Sequence, residues 1–329
     1  WPENYYGGKL RMTGITNDLE HTDQIHYPNQ GDRYLHRISA RKNEWHDVCL
    51  MAFDHRWQFH EIAVHAKGHD RDVLLLKKLI FKGAQKTAKR CSLHHEGESQ
   101  PGILCDDIYG EETLNEATGT GWWIGRPVEL PRSRPLEFEY GNNVGQKLTT
   151  WPAEHVVKCL VFYHPDDPVE LRILQERRVK DLYDACCFSG HELLLEVIPP
   201  SNSKIDETTL PRSMSRFYNL SIYPDWWKLP SQPVGYWPHI DKVIDRYDPH
   251  CRGVVILGLD QPVPQLAQGF KDSCYSKWVK GFAIGRTIFG EPAKRWLSGD
   301  LTDEQLIDQI ADRYQEMITL WQQRRQGGK

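Results

Sequence analysis

Residues 156–162 read VVKCLVF and residues 192–198 read ELLLEVI, with a charged segment from Pro168 to Asp184 between them. Each short apolar run has the length of a buried strand, whereas the longer segment between them suits a helix. A strand, a helix and a second strand in succession are typical of two parallel strands joined by a crossover helix. This unit therefore predicts an α/β fold with a parallel sheet.

The same alternation continues on both sides of this unit. Further short apolar runs lie at residues 48–53, 102–105, 121–124, 223–229, 253–259 and 281–285. The longer segments at 72–90 and 302–321 are predicted helices. Eight strand–helix units predict closure into a (β/α)8 barrel, or TIM barrel, over residues 46–325. Residues 1–45 lack a sustained apolar period, and we expect them to form an irregular N-terminal arm or linker.

A doubly wound open sheet is the alternative fold. Such a sheet usually has fewer strands and carries a glycine-rich GxGxxG fingerprint after its first strand. Here the first apolar run is followed by Asp54-His55-Arg56 instead. The barrel is therefore the favoured interpretation.

The composition argues against several classes of protein. The 329 residues include 41 Lys and Arg against 45 Asp and Glu, and this near balance is not typical of a nucleic-acid binder. No run approaches the roughly 18 apolar residues of a membrane span. The eight cysteines include no CxxC pair, which fits reduced thiols better than a disulfide framework. We therefore expect a cytoplasmic protein that binds neither nucleic acid nor membrane.

Polar and charged residues stand at the ends of the predicted strands, where TIM barrels hold their active sites. They are Asp54, His55, Arg56, Asp106, Asp107, Arg126, Glu129, Lys158, His164, Glu196, Lys228 and Arg286. Charged side chains within apolar strands are costly to bury unless they are paired or used in chemistry. Lys158, Glu196 and Lys228 are therefore the leading candidates for a functional site.

Lysine chemistry is one use for this set. A lysine amine that is walled by apolar rings and lies beside another cation can lose its proton and form a Schiff base with a carbonyl. Lys228 follows two tryptophans, and Lys158 is a candidate for the neighbouring cation. Glu196 and Asp54 could move protons. The alternative is a structural layer of ion pairs, Lys158–Glu196 or Lys228–Asp54, inside the barrel.

The end of the predicted barrel resembles a phosphate site. Gly258 and Gly285 close the seventh and eighth predicted strands, and Arg286 follows. TIM barrels often bind phosphate at this corner through backbone amides and a nearby cation. The alternative is that both glycines only form tight turns.

A metal site is a further possibility. Oxygen and nitrogen ligands to Zn²⁺, Mg²⁺ or Mn²⁺ could come from Asp54, His55, Asp106, Asp107, His164 and Asp166. No HxH or HExxH spacing supports such a site.

An ordered set of short motifs at these strand ends resembles a known family. The motifs are Phe53-Asp54-x-Arg56, Ile103-Leu104-x-Asp106-x-x-Tyr109-Gly110, Val157-Lys158-x-Leu160-x-Phe162-Tyr163, Leu194-Leu195-Glu196, Pro224-Asp225-x-x-Lys228 and Gly285-Arg286. Over residues 33–325 the chain resembles the aldolase domain of bacterial myo-inositol catabolism proteins, which is similar to the class I tagatose-1,6-bisphosphate aldolases. It departs from the sugar-bisphosphate aldolases at His55 and Trp57, and at Asp260 after the seventh strand.

The resemblance implies a role for each matched residue. Lys228 would be the Schiff-base lysine and Lys158 the assisting lysine, while Glu196 and Asp54 would be the acid–base and orienting carboxylates. The residues expected to bind the substrate and its phosphate are Arg56, Asp106, Arg126, Gly258, Gly285 and Arg286. Neither a metal nor an organic cofactor is implied.

The resemblance also implies a reaction and partners. A class I aldolase of this family would cleave 2-deoxy-5-keto-D-gluconate 6-phosphate to dihydroxyacetone phosphate and malonate semialdehyde. In many bacteria the domain is fused behind a sugar kinase, 5-dehydro-2-deoxygluconokinase, so a fused or associated kinase is an expected partner. The expected substrate is a phosphorylated keto-sugar acid, and we expect a homo-oligomer.

Two other functions stay open at this point. One is a metal-dependent sugar-phosphate lyase that uses Asp54, Asp106 and His164. The other is a non-catalytic sugar-phosphate-binding barrel that partners a sugar kinase.

Overall fold

A computed structural model describes residues 44–55, 70–93 and 99–325, together with Leu35, Arg37, Phe59, Glu61 and Ile62. Within this part of the chain, eight parallel strands close into a barrel in chain order, which confirms the predicted (β/α)8 fold. The strands are β1 (Val48–Ala52), β2 (Gln100–Leu104), β3 (Trp123–Pro127), β4 (His155–Phe162), β5 (Leu193–Ile198), β6 (Trp226–Pro230), β7 (Gly253–Leu257) and β8 (Val279–Ile284).

Helices alternate with the strands and pack around the barrel. They are α1 (Asp70–Arg90), α2 (Glu111–Ala117), α3 (Val144–Leu148), α4 (Val169–Ser189), α5 (Thr209–Asn219), α6 (Trp237–Tyr247), α7 (Val263–Ser273), α8 (Arg286–Leu297) and α9 (Asp303–Gln323). Short 3-10 helices at Gly141–Asn143 and Val234–Tyr236 precede α3 and α6. None of the helices in the described part of the chain is long and apolar enough to span a membrane.

The last helix closes the barrel wall beside the first strand. Thr302 Oγ1 accepts a hydrogen bond from the Gln305 backbone amide at 3.2 Å, and the Gln305 side chain accepts one from the Thr302 amide at 2.9 Å. This reciprocal pair fixes the start of α9 because it satisfies two amides that the helix leaves free. Tyr314 in α9 then donates to the Cys49 carbonyl in β1 at 2.6 Å.

Alternate residues of each strand face the barrel interior. The inner core consists of Val48, Leu50, Leu104, Trp123, Val156, Leu194, Trp226, Val255 and Ala283. Trp123 and Trp226 meet edge to face, with ring centroids 6.0 Å apart, near the starts of β3 and β6. Because bulky side chains fill the amino end of the barrel, open space for a ligand is found at the carboxyl end.

Strand register sets the level of the charged residues. Glu196 on β5 pairs with Leu160 on β4 and with Lys228 on β6. Lys158 precedes Leu160 by two residues, so it points to the same face of β4. The register therefore brings Lys158, Glu196 and Lys228 into the interior at adjacent levels.

Arg37 contacts the opposite end of the barrel. Its guanidinium is buried and lies 2.7 Å from Asp248 Oδ1 and 3.3 Å from Asp225 Oδ1. Asp225 directly precedes β6, so this contact lies at the amino ends of the strands. Most of the predicted arm, residues 1–43 apart from Leu35 and Arg37, lies outside the described residues. The predicted domain boundary therefore stays a prediction.

Candidate active site

Lys158 is the centre of a buried ion-pair cluster at the carboxyl end of the barrel. Its ammonium group lies 3.0 Å from Asp54 Oδ2 and 3.0 Å from Glu196 Oε2, and it donates a hydrogen bond to Glu129 Oε1. Asp54 follows β1 and Glu129 follows β3, so four strands supply the cluster. The Lys158 side chain is fully buried. Its charge is tolerated there because three carboxylates replace the lost water.

Lys228 joins the cluster through Glu196. Its Nζ donates to Glu196 Oε2 at 3.1 Å, and this is the same oxygen that Lys158 contacts. Among the described residues, Glu196 is the one carboxylate that ion-pairs with Lys228, against three on Lys158. Of the two ion pairs considered from the sequence, Lys158–Glu196 is present. The pair Lys228–Asp54 is not, because Asp54 pairs with Lys158 instead.

The cluster perturbs the pKa values of its carboxyl groups in different directions. Burial raises the pKa of Asp54 and of Glu196, but the lysine charges, Lys158 foremost, outweigh burial and hold both pKa values below their usual range. Burial dominates for Glu129 and raises its pKa, although Lys158 opposes the change. Burial lowers the pKa of Lys158, but the three carboxylates raise it well above its ordinary value. Lys158 is therefore a permanent cation at neutral pH.

His55 follows Asp54 and lies beside the cluster. Its Nε2 is 4.0 Å from Asp54 Oδ1, and 36% of its side chain is exposed. Desolvation lowers the pKa of His55 to about 4; Asp54 opposes this change and Lys158 adds to it. The imidazole is therefore neutral at pH 7.

A cavity of about 310 Å³ opens above the cluster. Ligand pockets of this size are common in enzymes that act on small molecules. Polar side chains and glycines of the strand ends line the cavity, namely Asp54, His55, Glu129, Glu196, Lys228, Gly258, Gly285 and Arg286. Apolar residues, including Pro127, Leu160, Phe162, Ile198 and Leu257, form the remaining wall.

The cavity ends at the amino terminus of α8. A Cβ on Gly285 would lie 2.0 Å from the Ala52 carbonyl oxygen, so only glycine fits between β1 and this helix. The free amides of the first helical turn are suited to an anion. Arg286 lines the same end, and its Nη1 lies 3.1 Å from Asp260 Oδ2. The acid after β7 therefore pairs with the arginine.

Arg126, which was expected at the substrate site, lies on the outer side of β3. Its guanidinium stacks on Trp151 at 3.8 Å from the ring centroid and pairs with Asp107 at 3.0 Å. Trp123 on the same strand faces inward, and Arg126 is three residues later, so its side chain points to the opposite face. The structure thus separates Arg126 from the cavity.

Two other residues, Asp106 and Arg56, were predicted to bind the substrate. Asp106 is fully buried, forms an ion pair with Lys77 of α1, and accepts a hydrogen bond from the Tyr109 amide at 2.9 Å. Lys77 also donates to the Phe53 carbonyl at 2.8 Å. This pair holds α1 against the ends of β1 and β2. Arg56 lies outside the described residues.

The residues considered for a metal site have separate partners. Asp54 contacts Lys158 and Asp106 contacts Lys77, whereas His164 Nε2 lies 3.0 Å from a backbone carbonyl oxygen of the segment between β5 and α5. Within the part of the chain that the structure describes, no three His, Cys, Asp or Glu side chains are grouped as metal ligands.

Residues 19–325 match the family described as "Uncharacterized protein conserved in bacteria (DUF2090)". The chain belongs to this family. No curated protein matches the sequence. Among solved structures, the fold of this family member is similar to fructose-bisphosphate aldolase from Plasmodium falciparum, solved in complex with TRAP and a small-molecule inhibitor. The TM-score is 0.62 at 9% identity, over 89% of this chain and 95% of that chain. At 9% identity, this comparison shows a shared fold and nothing further.

Two residues of this family member were not assigned to the site from the sequence. Glu129 stands at a strand end with no predicted role, but the alternation of β3 indicates its direction, since Trp123, Gly125 and Pro127 are in phase with it. Lys77 has no predicted role, although the helical period marks it. It is four residues from both Val73 and Phe81, and all three lie on the buried face of α1.

Proposed function

We propose that this protein is a class I, Schiff-base aldolase that cleaves a phosphorylated keto sugar. The observation that carries the proposal is the unequal pairing of two lysines that share Glu196 at the floor of one cavity. Lys158 contacts three carboxylates and is fully buried, whereas Lys228 contacts one and lines the cavity. The first arrangement suits a fixed cation and the second suits a nucleophile.

The reaction assigns a step to each of these groups. Glu196 accepts a proton from the Lys228 ammonium, and the free amine adds to the substrate carbonyl. Loss of water gives an iminium, which draws electrons from the neighbouring carbon–carbon bond when that bond breaks. Glu196 gives that proton to the hydroxyl group that leaves as water, and Lys158 stays charged beside Glu196 in every step.

The proposed substrate has its phosphate at the end of the cavity beside α8. The helical amides, Gly258, Gly285 and Arg286 supply donors and space for a phosphoryl group there. We propose 2-deoxy-5-keto-D-gluconate 6-phosphate as the substrate, with dihydroxyacetone phosphate and malonate semialdehyde as products in myo-inositol catabolism. This choice is supported by the strand-end motifs described above.

Borohydride trapping tests the proposal. The purified chain is incubated with dihydroxyacetone phosphate, reduced, digested and mapped by mass spectrometry. We expect the added mass on Lys228, no adduct in Lys228→Met, and an unchanged adduct in Lys242→Met, which alters an exposed lysine of α6. Cleavage of the proposed substrate is followed through release of dihydroxyacetone phosphate. An adduct on another lysine, or full activity of Lys228→Met, would contradict the proposal.

A further inference from the structure

Side-chain exposure within the cluster is very uneven. Lys158 and Asp54 are fully buried, and Lys228, Glu196 and Glu129 are between 3% and 6% exposed. His55 is 36% exposed and also lines the cavity. Within this set, the His55 imidazole therefore presents the largest fraction of its surface to a ligand.

The anions of the cluster are poorly placed to take a proton from the substrate. The Asp54 carboxylate has no exposed surface, and Lys158 lies 3.0 Å from it. Glu196 bridges Lys158 and Lys228 through one oxygen. Asp54 is therefore a weak base, because proton uptake would take one negative partner from Lys158, and Glu196 is already placed to exchange a proton with the Lys228 nitrogen.

Asp54 is nevertheless placed to support a base beside it. No described residue donates a hydrogen bond of good geometry to either of its carboxylate oxygens. His55 Nε2 lies 4.0 Å from Asp54 Oδ1, so a small rotation of the ring would allow an N–H to donate to that oxygen. A histidine that is oriented by a carboxylate on one side and open to a ligand on the other is a common arrangement for general acid–base catalysis.

We propose that His55 is a catalytic acid–base residue that takes the substrate hydroxyl proton during carbon–carbon cleavage, while Asp54 stabilises the imidazolium that forms. This inference rests on the proposed function. The resemblance noted in the sequence does not supply it, because His55 is a position at which the chain departs from the sugar-bisphosphate aldolases.

The Lys228 iminium is already formed, and a neutral nitrogen of His55 removes the proton from the hydroxyl on the carbon that is to leave. The O–H electrons form the aldehyde C=O bond, and the carbon–carbon bond breaks. Its electron pair forms the C=C bond of an enamine while the C=N pair moves to the nitrogen. His55 is then an imidazolium beside Asp54, and it can return the proton to the enamine carbon.

The charges around the ring fit this cycle. Asp54 on β1 and Glu196 on β5 favour the imidazolium, whereas Lys158 on β4 and Lys228 on β6 oppose it. The resting ring is neutral at pH 7, so one of its nitrogens has a free lone pair, and its exposed face opens to the cavity. In this cycle the proton moves between the substrate and His55, and Asp54 keeps its negative charge.

The test separates iminium formation from carbon–carbon cleavage. In His55→Asn, we expect kcat for cleavage to fall about 10²- to 10⁴-fold. Borohydride trapping of dihydroxyacetone phosphate on Lys228 should stay at the wild-type level, and the iminium of the intact substrate should accumulate. His239→Asn, an exposed histidine on α6, is the matched control and should cleave at the wild-type rate. Added imidazole should partly restore cleavage in His55→Ala.

The outcomes distinguish this inference from the proposed function. If the wild-type protein gives no Lys228 adduct, the aldolase proposal itself fails. If the wild type is trapped and His55→Asn cleaves within a few fold of it, the role of His55 is wrong. Loss of trapping and cleavage together in His55→Asn, with an unchanged melting temperature, would also overturn it, since His55 would then act before cleavage.

Discussion

Replacing Lys158 with methionine should destabilise the fold strongly and in a pH-dependent way. The change removes the cation that contacts Asp54, Glu129 and Glu196, and all three carboxylates remain buried. Removal of one partner from a buried ion pair typically costs about 3–5 kcal/mol. Lys228 still contacts Glu196, so we take that range for the whole change. With an unfolding entropy of about 2.1 cal/mol/K per residue, a chain of 329 residues should then melt about 4–7 °C lower.

The sign of the pH dependence follows from the pKa directions. In the wild type, the pKa values of Asp54 and Glu196 lie below their usual range, so their ionised forms stabilise the fold above about pH 4 and this contribution is lost as the pH falls. Without Lys158, burial raises the pKa values of Asp54 and Glu196. Protonation at lower pH then removes their negative charges and reduces the free-energy cost of burying them in the variant. The difference in the free energy of unfolding should therefore be largest at pH 7 and smaller at pH 5.

Urea denaturation at the two pH values measures this difference. Lys86→Met is the control, because Lys86 and Asp308 are 42% and 51% exposed and such a surface pair contributes at most about 1 kcal/mol. The reasoning would be refuted if Lys158→Met and Lys86→Met cost the same at pH 7. An equal cost of Lys158→Met at pH 5 and pH 7 would refute the electrostatic part alone.

Three further changes have expected outcomes. Gly285→Ala, just before α8, should cost about 1–3 kcal/mol in thermal denaturation, since its Cβ would lie 2.0 Å from a backbone oxygen of β1. Gly290→Ala, inside α8 and with its nearest atom at 3.6 Å, should instead stabilise the fold by about 0.5–1 kcal/mol. Thr302→Ala removes the cap of α9 and should cost about 1 kcal/mol, also by thermal denaturation. Arg286→Gln should weaken the inhibition of substrate cleavage by inorganic phosphate about tenfold. Asp260→Asn should strengthen this inhibition, because Arg286 loses its competing partner. Inhibition constants equal to that of the wild type would contradict the phosphate site.

The barrel was predictable because each strand is a short apolar run bounded by polar residues. The predicted and observed strands overlap in all eight cases, but their limits differ. The sixth was placed at 223–229 and spans Trp226–Pro230. Residues 223–225 are Tyr-Pro-Asp, a poor strand sequence because Pro and Asp are depleted in strands. Asp225 contacts Arg37 and accepts a hydrogen bond from the Leu193 amide instead, and these partners are not readable from the local sequence.

The pocket residues were predictable to the extent that strand alternation determines which way a side chain points. Lys158 and Glu196 follow the inward phase of Val156 and Leu194, and both reach the interior. The same rule separates Arg126 on β3 from Glu129 just after it, and it predicts that Glu129, not Arg126, faces the interior. Alternation says nothing, however, about a helix residue such as Lys77, whose burial depends on how α1 packs against the sheet.

Which lysine is the better nucleophile depends on the stagger between strands, and that quantity is absent from any single segment. Glu196 is level with Lys228 on β6, while Lys158 on β4 lies two residues below the level of Glu196. A barrel requires such a shear between neighbouring strands. Because of it, Lys158 lies deeper, where Asp54 and Glu129 also reach it, and Lys228 is left at the cavity floor with one carboxylate. Two lysines that read alike in sequence are thereby made chemically different by one geometric property of the closed sheet.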